Sequence, residues 1–134
     1  MREVMVGNVL RDMKNESPRC LGISLYNPAK GELIGAVAEP DFHDLPVLQD
    51  VMLEGYLSAE QAIKARLDEQ DRIRDFIVET SKFFMICRRL DNDLLLFLFL
   101  RSPVPCIGAP IDLLDHWQEG LVKATFRQER SLSS

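Results

Sequence analysis

The sequence is poor in the residues that most catalytic and metal-binding chains depend on. Its three cysteines, Cys20, Cys87 and Cys106, form no close pair, and their odd number leaves one without a mate in any disulfide scheme. That usage fits a reducing compartment. The only histidines, His43 and His116, lie far apart with no cysteine or carboxylate at metal-ligand spacing, so both read as surface or packing residues and no metal is expected. No G-x-x-x-x-G-K-[ST] loop occurs, so the chain does not itself cradle a nucleoside triphosphate. The longest strongly apolar run, residues 94–100, falls far short of the roughly 20 residues a membrane-spanning helix needs. Arg2, Glu3, Arg11, Asp12 and Lys14 break up the start of the chain where a signal peptide would be apolar, which points to the cytoplasm. Basic residues are outnumbered, 16 against 21 acidic, and the net charge of −5 opposes binding to a phosphate backbone. Nucleic acid is not an expected partner.

What remains is the composition of one ordinary domain: 134 residues, 46% hydrophobic and 28% charged. Residues 1–126 read as a single folded unit and residues 127–134 as a polar tail that frays. Val6, Val9, Leu10 and Met13 recur at helical spacing over residues 3–14, and Asn15, Ser17 and Pro18 stop that helix. In residues 20–26, Leu21, Ile23 and Leu25 alternate with Cys20, Gly22, Ser24 and Tyr26, giving a strand with one large-aliphatic face and one small-residue face open to close approach. Asn27, Pro28 and Gly31 form a reversal in which glycine takes positive φ without steric cost, and residues 32–38 return as a second strand.

Leu45, Leu48, Met52, Tyr56, Ala59 and Ile63 mark a long helical region. Gly55 and the Ser58-x-x-Gln61 capping pattern predict either two helical pieces or one kinked helix. From Arg72 onward the period changes to two, predicting strands around DFIVET, KFFMICRR and DLLLFLFLR, with Asp91-Asn92 as the turn before the last. Residues 94–100 are apolar on both faces, the mark of a central strand, whereas Arg88 and Arg89 suggest that the strand before it ends in solvent. Pro110 then opens a closing helix whose inward face carries Leu114, Trp117, Leu121 and Thr125.

This order, α-β-β-α-β-β-β-α, predicts an α/β (α+β) fold: a five-stranded antiparallel sheet with helices on both faces. Two stretches, RDFIVETSKFFMICRRLDNDLLLFLFLRS and LGISLYNPAKGELIGAV, resemble the three-strand meander and first hairpin of the roadblock/LC7 family, and a profilin-like arrangement has the same kinds of elements. The resemblance implies a non-catalytic protein-interaction module without cofactors. It implies pairing with itself or a paralogue, and a role in binding or regulating a small Ras-like GTPase or scaffolding its complex. It places the dimer interface on the edge strand, Asp75, Phe76, Ile77, Val78, Glu79 and Thr80, with Leu53, Tyr56 and Leu57 of the middle helix beside it. A proline at Val78 is then expected to break the pairing by removing a backbone donor.

Arg88 and Arg89 are candidates for partner contact, since an arginine can stabilise phosphoryl-transfer charge in trans. The plainer reading pairs them with Asp91 and Asp93. Cys87 reads as a buried hydrophobe and Cys106 as exposed, neither with an activating pattern. Phe83, Phe84, Phe97 and Phe99 read as core. The reading from a different class is a PAS-like sensor holding a small molecule between sheet and helices.

Overall fold

The computed structural model describes residues 5–133; Arg2, Glu3 and the first residues of the expected opening helix lie outside it. The elements are α1 (Met5–Asn15), β1 (Cys20–Asn27), β2 (Glu32–Ala38), α2 (Leu45–Arg66), β3 (Asp75–Glu79), β4 (Phe83–Arg89), β5 (Leu95–Arg101) and α3 (Gly108–Ser133). The strands form one antiparallel sheet in the order β2-β1-β5-β4-β3. β5 is central, as its two apolar faces require. Leu96, Leu98 and Leu100 turn to α1 and α3, while Leu95, Phe97 and Phe99 turn to α2. Each such side chain, taken fully out of water, contributes about 1.5–3 kcal/mol. The sheet thus separates an aliphatic layer from one rich in phenylalanine.

Several local expectations are met by specific contacts. Gly31 makes the hairpin turn at φ 63°, and Asn27 Oδ1 accepts from the amides of Ala29 and Lys30 within it. The small-residue face of β1 receives α2 closely. A Cβ at Gly22 would stand 2.7 Å from Leu45 Cδ1, and the Ser24 hydroxyl donates to Gln49 in the buried interface. The β4–β5 turn stands at Asp91-Asn92 as expected, closed by Asp93 N–H donating to Leu90 C=O at 2.9 Å, and Asp93 itself takes positive φ, at 64°.

Three expectations are corrected. α2 is one uninterrupted helix of 22 residues, because at Gly55 the missing side chain admits the ring of Phe76: a Cβ there would lie 3.0 Å from it. β1 does not keep strict alternation. A register shift between Cys20 and Gly22 puts Leu21 on the α2 side while Ile23 and Leu25 face α1 and α3. Residues 127–133 are not a frayed tail but the last two turns of α3, where Gln128 accepts from the Val6 amide at 3.4 Å and so ties the helix end to α1.

Candidate functional site

Among the described residues β3 pairs with β4 alone, so its other side presents an unpaired backbone. Which residues point outward follows from the ladder. Arg89 N–H donates to Arg74 C=O at 2.9 Å and Thr80 N–H to Phe83 C=O at 2.7 Å, so Arg74 and Thr80 turn their polar groups to β4. Antiparallel pairing alternates. Phe76 and Val78 therefore also bond inward, and Asp75, Ile77 and Glu79 present N–H and C=O to the outside. A proline at Val78 would break the ladder inside the chain rather than the free edge; the position that tests the edge is Ile77.

Side chains divide the same way. Phe76 and Val78 pack under α2, whereas Ile77 lies on the opposite face and is 37% exposed. Glu79 accepts from the Ser102 hydroxyl at 2.8 Å, and Thr80 Oγ1 accepts from the amides of Lys82 and Phe83, closing the β3–β4 turn.

Asp75 and Arg88 are cross-strand partners, and Arg88 is wholly buried. Its Nε and Nη2 donate to the two carboxylate oxygens of Asp75 at 2.7 and 3.0 Å. Its Nη1 donates to Asp115 of α3 at 2.6 Å and to Gln118 at 3.3 Å. Burial works against the charge, but the hydrogen bonds that Arg88 donates to Asp75 and Asp115 outweigh it and hold the guanidinium protonated. Arg88 is therefore unavailable to a partner and does not end its strand in solvent. The residue clasps the edge strand to the last helix. Arg89 points to the other face, is partly exposed, and lies 3.6 Å from Asp93.

On α2, Tyr56 is not an outer-surface residue. It is buried against the sheet, its hydroxyl donating to Glu60 at 3.0 Å, and burial pushes its pKa up to about 12. Glu60 also accepts from the Ile73 amide at 3.0 Å, with Arg72 at 3.4 Å, so one carboxylate orders the connection into β3. Leu53 is half-buried in the α2 layer and Leu57 is exposed. Val47 and Val51 stand out more than either, 65% and 56% exposed. They lie outside the inward stripe that marks the helix in the sequence. Their signal was present, two branched apolar residues four apart on the opposite side of the helix.

Cys20 and Cys87 are buried, with thiols pushed up by desolvation, and Cys106 is exposed. Phe84, Phe97 and Phe99 lie in the core and Phe83 at its margin. Both layers between sheet and helices are filled by packed side chains, where a PAS-like sensor would hold its ligand. Among the described residues no helix is long and apolar enough to cross a membrane.

No family model matches the sequence, and no curated protein does. Solved structures match by shape. MglB from Myxococcus xanthus aligns with a TM-score of 0.74 at 12% identity, over 94% of this chain and 91% of that one. The gliding protein MglB from Thermus thermophilus gives 0.73 at 14%, over 92% and 90%. A roadblock/LC7 domain from Streptomyces avermitilis gives 0.64 at 13%, over 94% and 96%. Each match runs over nearly the whole length of both chains, and by that likeness of shape the chain has the roadblock/LC7 fold.

Proposed function

We propose that the chain is a non-catalytic interaction module that pairs with a second copy or a paralogue through β3 and, as a dimer, binds or regulates a small Ras-like GTPase or scaffolds its complex. The observation that carries this reading is the β3 edge, where outward N–H and C=O groups at Asp75, Ile77 and Glu79 flank an exposed Ile77 side chain. A bare edge is a template for another strand, and antiparallel pairing about a twofold axis would set Ile77 opposite its own copy. The chain's similarity in shape to MglB and to a roadblock/LC7 domain supports the GTPase part of the reading. Val47 and Val51 then offer apolar contact on the α2 face of the same dimer.

Sedimentation velocity tests the pairing. The native chain is expected to sediment as a dimer, and Ile77→Pro, which removes an outward donor while leaving the β4 ladder, is expected to weaken association about tenfold or more. A native chain that stays monomeric at tens of micromolar rejects the dimer. Crosslinked capture from the native cell is expected to recover a protein carrying a G-x-x-x-x-G-K-[ST] loop, with recovery reduced by Val51→Glu. Partners that uniformly lack that loop reject the GTPase reading.

A further inference from the structure

A cleft of about 490 Å³ opens at the end of the sheet where β1 begins and β5 stops, and none of its lining residues belongs to β3 or α2. Its volume lies within the roughly 300–1,000 Å³ typical of small-molecule sites. Much of its lining is apolar, from Pro18, Leu100, Val104, Pro105, Pro110 and Leu113. The walls are fixed before any ligand arrives. The three prolines have restricted φ. Trp117 Nε1–H donates to Glu16 at 3.1 Å, tying α3 to the turn after α1, and Arg101 N–H donates to Arg19 C=O at 3.1 Å, tying that turn to β5. A site assembled in advance loses little to ordering when it is filled.

The rim supplies polarity. The Glu16 carboxylate is engaged by the indole, and the His116 ring packs edge-on against Trp117 at 5.5 Å. Asp112 is exposed on the α3 side. Arg19, from the turn between α1 and β1, is exposed, and among the described residues its guanidinium has no ion pair or side-chain hydrogen bond. A guanidinium offers a planar fork that matches a carboxylate. From a largely apolar lining of this size with a free arginine in it, we propose that the cleft binds an amphiphilic monocarboxylate, its hydrocarbon body on the apolar lining and its carboxylate on Arg19. This would give the molecule a small-molecule input on the face opposite α2, separate from the β3 edge.

Trp117 is the only tryptophan in the chain, and it touches Glu16 and His116, both of which line the cleft, so its emission reports on the cleft through them. Titrating the full chain with sodium decanoate, below its micelle concentration, is expected to give a saturable change in that emission. Arg19→Ala should weaken binding about tenfold, and Ala109→Phe, which fills the cleft, should abolish it. Decanol and decylamine should bind more weakly than decanoate. In the unmodified protein, decanoate should also slow alkylation of Cys106, which lines the cleft. No saturable signal and no protection of Cys106 would overturn the site. Decanol or decylamine binding as well as decanoate, or Arg19→Ala leaving decanoate affinity unchanged, would overturn its assignment to a carboxylate. The titration reads the same in a monomer, so its failure is distinct from failure of the β3 pairing.

Discussion

A guanidinium wholly out of water is tolerable only because carboxylates from two different elements meet it, and Arg88 has Asp75 on β3 and Asp115 on α3. Asp75→Ala should therefore destabilise the chain by about 3–5 kcal/mol in urea titration, since it strands a buried charge. Asp115→Ala should lose less, because that side chain is half exposed. A near-neutral Asp75→Ala would refute the clasp. The sequence could not show this arrangement: the partners stand 13 and 27 positions away, and only register and helix docking bring them together. Glu60 makes a pH prediction. Burial alone would raise its pKa, but the Ile73 amide, the Tyr56 hydroxyl, Arg72 and Lys64 together hold it below the ordinary 4.5. With the folded value below the unfolded one, its stabilisation is complete above pH 4.5 and is lost as pH falls through the lower folded value. Urea midpoints measured down this range should fall less steeply for Glu60→Gln than for the native chain.

At the scale of elements, α2 shows why a local breaker failed as a signal. Glycine in a helix interior costs about 1 kcal/mol relative to alanine, yet Gly55 is where Phe76 of β3 approaches the helix axis. The helix continues because tertiary packing at that point outweighs propensity. Gly55→Leu should accordingly destabilise by about 1–3 kcal/mol despite the better helix former, and it should disturb β3 through Phe76. A thermal melt showing stabilisation would contradict this packing. The end of α3 teaches the converse. Arg127, Gln128, Glu129 and Arg130 look like a tail by polarity, but they are good helix formers, and Gln128 reaches Val6 of α1. Elements defined by period and turn chemistry, such as the Gly31 hairpin and the apolar β5, were legible. Those defined by what packs on them were not.

For the whole molecule, the order of elements and the central strand could be read from hydrophobic pattern, because a five-strand meander-and-hairpin sheet leaves few ways to bury residues 94–100 on both faces. The β3 edge was legible as a strand, but its polarity was not. Val78 and Ile77 differ only in which side their amides face, a property of the ladder rather than of either residue. Layering also sets a hierarchy of opening. β5 has a strand on each side and helices above and below, so its amide protons reach deuterated water only when the entire chain comes apart, whereas the outward amides of Asp75, Ile77 and Glu79 exchange through no such event. One hydrogen-exchange experiment therefore carries two clocks. The slow one should report global stability alone, and the fast one should slow only as a second strand arrives, which makes rising protein concentration a direct readout of what the open margin of the sheet is for.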